Sequence, residues 1–397
     1  MSTITSYLPY SNYTFTTFST WAQAIGTALT TFGWVKDTAV NGTVNWSTLT
    51  FSPFHDPGSS GVFPAQATVT YKGAWSNASV TYSTNDIVTS AGATWICRSG
   101  YTTSSTSPTP ENEVTAASTI HWVLYPFEVW KSANTPTIYL KFEYGGNASA
   151  FTQVPVVRVT VGTSDDTNGN LGTGANQQKT GAINLPNTTA TLVGNLGEYL
   201  PCYFSGDSSN RFSMMMFASG EAFGQASSPL FFTIERSLDN TGAYYTTQSG
   251  AVTPYWTAIW AGYSDFQNIQ SIINTTGSTW ILNNVDTAMT TLCSDLSHTI
   301  APEDGVTGST GSGSGNASVP AFPIWPLVGW VGNPMTSAMS FKVGATATPV
   351  GSGDAPGYAE YTAEMYGVTH TYMGFRSNFQ TFGGGVTTNN GLGMRFD

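Results

Sequence analysis

Along most of the chain, apolar positions alternate or run in short bursts, with the period of strands rather than helices. VPVVRVTVGT (154–163) sets Val157, Val159 and Val161 against Val156, Arg158 and Thr160, the pattern of a half-buried strand. FEVWKS (127–132) and TIYLKFEYG (137–145) are β-branched or aromatic runs. RFSMMMFAS (211–219) and PLFFTIERSLD (229–239) are nearly continuous in apolar residues, which predicts strands covered on both faces. EYTAEMYGVTHTYMGF (360–375) predicts a hairpin, and WVKDTAVNGTVNWSTLTF (34–51) two strands about an Asn41–Gly42 turn. Helical spacing appears over 18–33, where Trp21, Ile25 and Leu29 share a face with Ala22 and Ala28, Ser19 can cap and Gly33 can stop the helix. A weaker helix is predicted over 264–274. VPAFPIWPLVGW (319–330) is too rich in proline for a regular strand.

One stretch breaks the rhythm. From GAWSNASVTYSTNDIVTSAGATWICRSGYTTSSTSP (73–108) to Trp122, aromatics recur at short intervals: Trp75, Tyr82, Trp95, Tyr101 and Trp122. Strand signals stand on both sides, WSTLTF before and FEVWKS after. The expected architecture is therefore mainly β: a β-sandwich-like body with one or two short helices, interrupted by a small all-β module. The body would comprise 1–65, 127–302 and 319–397; the inserted module 66–126; and a flexible Gly/Ser loop 303–318. Insertion at an exposed loop tip is well tolerated. No internal repeat is visible.

Composition narrows the setting. Only 9% of the 397 residues are charged, while 13% are aromatic, so the chain is neither disordered nor surfaced in the usual way. Thr, Ser, Asn and Gly must make most of its surface. The net charge is −11 and the twelve Lys and Arg residues are scattered, without the basic stripe that nucleic acid requires. No apolar run is long enough for a membrane-spanning helix. The opening MSTITSYLPY has no secretory character, and Cys97, Cys202 and Cys293 are dispersed, as buried thiols of a chain folded in a reducing cytosol would be.

Chemical motifs are sparse. GTGANQQKTG (172–181) lacks the glycines of a phosphate loop. SDDTNGN (164–170) has calcium-ligand types out of phase and no closing glutamate, so a surface turn is expected. His55, His121, His298 and His370 show no metal-site spacing, and His370 is expected to be a packed or interface side chain. No cofactor and no metal are expected. Glu221, Glu235, Asp239, Glu360 and Glu364 are the carboxylates from which a glycosidase pair would have to come.

Residues 70–126 resemble the small chitin-binding-like carbohydrate modules of families 5 and 12. The residues that carry the resemblance are Trp75, Tyr82, Asp86-Ile87-Val88, Trp95 with Cys97, Tyr101-Thr102, Pro108, and Trp122 with Leu124. Asn85 stands where such modules have glycine, and the Thr/Ser loop 102–107 lacks their exposed tryptophan. The resemblance implies a module core of Trp75, Tyr82 and Trp95, with Tyr101 and Trp122 presenting faces to sugar. The body segments 18–51, 127–145, 156–174, 231–244 and 366–375 resemble tailed-phage virion proteins of tail or baseplate type. That resemblance implies a non-enzymatic structural part of the virion, made in the host cytoplasm. Its partners would be copies of itself, other virion proteins and host-surface glycan, with no nucleic acid and no membrane insertion. The alternatives are a tail-associated polysaccharide-degrading enzyme and a head-surface decoration or fibre protein.

Overall fold

A computed structural model of the chain describes residues 2–9, 15–46, 68–115, 121–135, 137–147, 154–172, 178–184, 199–216, 230–236, 238–239, 241–244, 256–261, 280–284, 290–293, 321–328, 334–343, 358–376 and 390–397. Among these, the chain is mainly β with one α-helix. The expected helix 264–274 and loop 303–318 lie outside the described residues.

The helix runs Phe15–Thr31, starting before the predicted cap. Ser19 lies within it and accepts a hydrogen bond from Gln23 at 3.0 Å. Its end follows the sequence: Gly33 takes φ 82°, and the amides of Gly33 and Trp34 donate to Thr30 and Leu29 at 3.0 and 2.9 Å, closing the last turn through a left-handed residue. Ala22, Ile25, Ala28 and Leu29 are buried, the face that the spacing predicts.

Two antiparallel sheets share a core with this helix. One has seven strands, in the order Ser2–Pro9, Tyr199–Asp207, Arg211–Met216, Leu230–Arg236, Trp256–Ala261, Trp280–Asn284 and Thr290–Cys293. The other has five, in the order Gln178–Asn184, Val154–Gly162, Tyr139–Asn147, Phe127–Lys131 and Val35–Lys36. Register places Phe204 and Phe232 beside Met214, and Ile234 beside Phe212. This face joins Leu140, Phe142, Val157, Val159 and Val161 in one apolar cluster. Phe142 meets Phe212 edge-on, with ring centroids 6.2 Å apart. The sandwich-like expectation holds here.

Of the segment 34–51 predicted as two strands, residues 34–46 are described, and these do not pair with each other as strands. Val35–Lys36 pairs with Phe127–Lys131, and the backbone amides of Asp37 and Val44 donate to Val129 and Phe127 at 2.8 and 3.2 Å. The strand Phe127–Lys131 thus accepts these donors.

A third sheet has the order Ala321–Val328, Pro334–Val343, Asn390–Arg395, Val368–Arg376 and Tyr358–Met365. The proline-rich stretch is thus a strand after all. It sits at the sheet edge with register shifts at Pro323/Trp325 and Pro326/Val328, where missing amides cost least. The hairpin forms as predicted, turning through Tyr366 and Gly367 with φ 53° and 73°, the left-handed pair of a tight hairpin turn.

What joins this sheet to the seven-stranded one is polar. Ser205, Arg211, Ser213, Thr233 and Glu235 are buried, as are Thr336, Ser337 and Arg395 opposite. Glu235 accepts the amides of Thr336 and Ser337 at 2.8 and 2.9 Å. Arg395 donates to Thr336 Oγ1 at 2.7 Å, and Arg211 to the Asp397 carbonyl at 3.2 Å. One face of the seven-stranded sheet is therefore apolar, whereas the other carries a buried hydrogen-bond network beside apolar groups such as Met215. Among the described residues, no helix is long and apolar enough to cross a membrane.

Candidate functional site: the aromatic face of the inserted module

The module is a four-stranded sheet, Thr70–Ala74, Asp86–Ser90, Ala93–Cys97 and Trp122–Leu124, whose first pair is parallel. A short ladder of Thr81–Tyr82 with Tyr101–Thr102 stands beside it. Asn85 explains itself: its φ is 71°, a left-handed position where glycine is easiest and asparagine next best. Asp86 closes the same turn by accepting the Ser83 amide at 2.8 Å. Asparagine at position 85 therefore fits the turn.

Alternation divides the sheet into two buried faces. Val88, Trp95, Cys97, Trp122 and Leu124 point into the aromatic core. Ile87, Ile96 and Val123 join Val40, Phe127, Val129 and Leu171 of the body. The module is therefore bolted on through a buried joint.

The loop 164–170 clasps that joint. The Asn170 side-chain amide pairs with both backbone groups of Val69, each at 2.8 Å, as a neighbouring strand would. Asn168 Oδ1 accepts the Tyr71 amide at 3.3 Å. Gly169 has φ 93°, and a Cβ there would come within 2.9 Å of Phe127. Asp166 organises the loop by accepting the amides of Asn168 and Asn170 at 2.8 and 3.0 Å, and the Asn170 side chain at 2.6 Å. The expected surface turn is thus a clasp, its carboxylates already engaged. Burial alone would raise the Asp166 pKa, but the hydrogen bonds from Asn170 and Asn168 outweigh it and hold the carboxyl below its ordinary 3.8. A depressed carboxyl contributes stability that is complete above the ordinary value and lost as pH falls through the lower folded value. The clasp should therefore loosen only below about pH 3.8, seen as faster hydrogen exchange at the Val69 and Tyr71 amides. In Asp166→Ala those amides should exchange fast already at neutral pH.

The residues singled out in the sequence separate differently than expected. Tyr82 and Trp95 are buried core, as read. Trp122, expected to face sugar, has no exposed surface. Its ring meets Tyr82 edge-on at 5.0 Å, and its Nε1 donates to Tyr101 Oη at 2.6 Å. Trp75, expected in the core, is only half-buried and packs against the core's rim. The two tryptophans exchange roles because the Trp122 strand is covered on both faces, whereas Trp75 follows the edge strand Thr70–Ala74. Tyr101 is half-buried, as a presenting residue must be.

His121 completes the face and was not recognisable by spacing. Its ring stacks on Tyr101, with centroids 4.0 Å apart and planes at 24°. Glu113, on the 3-10 turn Pro110–Thr115, is buried and receives the amides of His121 and Trp122 at 2.9 Å each and His121 Nδ1 at 2.5 Å. Exposed hydroxyls flank the patch, including Thr81 and Thr102, whose Oγ1 atoms lie 2.9 Å apart. Cys97 is inert packing: burial pushes its thiol up to about 12. Cys202 is likewise buried and raised well above the usual thiol range by burial.

The other candidates are engaged elsewhere. Glu235 is saturated by the third sheet. Asp239 binds the amides of Thr241 and Ala243 at 2.8 and 3.0 Å within its own turn. Glu364 is exposed on the final hairpin, Glu360 lies in the strand Tyr358–Met365, and Glu221 lies outside the described residues. His370 is packed, as expected, 3.5 Å from Asp397; burial and then Arg395 lower its pKa. His55 and His298 lie outside the described residues. No group of three or more potential metal ligands occurs among the described residues. No family model, no curated protein and no solved structure matches this chain.

Proposed function

We propose that the chain is a structural protein of a bacteriophage virion, of tail or baseplate type, whose inserted module contacts host-surface glycan. The observation that carries the reading is the half-buried patch of Trp75, Tyr101 and His121 on a module clasped to a large β body. Sugars offer C–H faces that rest on aromatic rings, and hydroxyls that bond to short polar side chains. Both kinds of group are present here. A rigid joint also suits a part that must pass contact with a surface to an assembly.

The body supports the same reading. Its seven-stranded sheet ends in the strands Ser2–Pro9 and Thr290–Cys293, and a chain with 9% charged residues has little charge with which to guard edges. Contacts with further copies and with other virion proteins would cover them. The buried carboxylate Glu235 spends its lone pairs on backbone amides, which is structural work.

The test is binding of the full chain to host envelope polysaccharide. Trp75→Ala and Tyr101→Ala should each weaken binding by roughly 1–3 kcal/mol, the scale of one central aromatic. Failure of the folded wild-type chain to bind any host-surface glycan would overturn the glycan-contacting part of the proposal.

A further inference from the structure

We propose that His121 Nε2 and Tyr101 Oη act as an acceptor–donor pair that reads two neighbouring hydroxyls on one glycan ring. This rests on the glycan reading above and assigns the polar half of recognition to two specific atoms.

The His121 side fixes an acceptor. The Glu113 carboxylate collects three N–H groups: the backbone amides of His121 and Trp122, and the imidazole at Nδ1. An ionised carboxylate only accepts, so Nδ1 carries the proton toward Glu113. In the neutral imidazole the hydrogen bond made by one ring nitrogen sets the state of the other, so of the two neutral tautomers the Glu113 contact selects the one whose Nε2 keeps its lone pair. Nε2 has no partner among the described residues, and it is not among the buried polar atoms that lack one. It is open to solvent on a side chain that is 23% exposed.

The Tyr101 side fixes a donor. Its oxygen accepts the indole N–H of Trp122 at 2.6 Å and that of Trp75 at 3.5 Å. Indole nitrogen is a donor only, so the phenol proton must point away from both rings. Burial raises the Tyr101 pKa against the pull of these two bonds, which keeps the proton on the oxygen at neutral pH. Stacking at 4.0 Å then holds one donor and one acceptor side by side. Adjacent hydroxyls on a sugar ring, each of which both gives and takes a hydrogen bond, are the groups that such a donor and acceptor would read.

Two other uses of this histidine are less well supplied. A carboxylate–histidine pair becomes a general base for a nucleophile only when a hydroxyl or thiol sits at Nε2, and none is bonded there. A metal would need further ligands, and no such group occurs among the described residues.

The experiment uses the full chain labelled with nitrogen-15, with soluble host envelope polysaccharide as the probe. Side-chain nitrogen correlation spectra should show His121 with the proton on Nδ1 and a bare Nε2, whose resonance moves when polysaccharide is added. His121→Phe keeps a stacked ring and loses the acceptor; Tyr101→Phe keeps the ring and loses the donor. Each should lower affinity by up to about tenfold, the scale of one hydrogen bond, measured at a temperature where melting curves show both variants folded. A protonated Nε2 overturns the inference. If the wild type and His121→Phe bind equally well while Trp75→Ala binds poorly, the inference falls and the glycan reading stands. If the folded wild type binds nothing, both fall together.

Discussion

Trp122→Ala should unfold the inserted module, at a cost of about 3–5 kcal/mol, the usual range for removing a buried aromatic. The ring has no exposed surface and meets Tyr82 edge-on at 5.0 Å and Tyr101 at 6.1 Å. Its Nε1 donates to Tyr101 at 2.6 Å, and its backbone amide donates to Glu113 at 2.9 Å. Truncation would open a cavity in the apolar cluster that Trp122 shares with Tyr82, Val88, Trp95 and the core of the body. It would also release the strand Trp122–Leu124, whose Val123 packs in the joint with the body. Hydrogen exchange should show protection lost across Asp86–Cys97, with reduced protection at Phe127–Lys131. Trp75→Ala, on the rim, should leave that protection near wild type. Equal behaviour of the two variants would mean that the tryptophans have been assigned wrongly.

The second large effect belongs to the body. Glu235→Ala should cost about 3–5 kcal/mol, as when one partner of a buried charged network is removed. Two backbone amides, of Thr336 and Ser337, would lose their acceptor in a buried layer. Arg211 and Arg395 would remain there with less compensating charge. Denaturant titration should show a lowered midpoint, and the strand Pro334–Val343 should exchange its amides fastest. An unchanged midpoint would show that the third sheet is held by something other than these bonds.

These two residues also mark where the sequence could and could not be read. The strands of the sandwich were legible because alternation survives wherever one face is buried, as at Val157, Val159 and Val161. The helix was legible from its 3.6-residue spacing and from Gly33. Proline misled at 321–328, because an edge strand tolerates missing amides that an interior one does not. The exchange of Trp75 and Trp122 was not legible, since spacing alone does not say which strands of a small sheet are covered twice. One overlooked signal did exist: Ile87-Val88, Trp95-Ile96-Cys97 and Trp122-Val123-Leu124 are short uninterrupted apolar runs, and such runs point to two covered faces. They announce the joint with the body. The clasp at Asn170 and the Glu113–His121 contact are long-range or turn-dependent meetings of polar residues, which leave no period in the sequence.

The most direct test of the account is a density map of the intact virion to which the proposed function assigns this chain. The account predicts multiple symmetry-related copies in the tail or baseplate, with the body in contact with its neighbours and residues 68–125 facing outward, Trp75, Tyr101 and His121 uncovered. A particle that lacks the chain, or one in which that aromatic face is sealed between subunits, would contradict it.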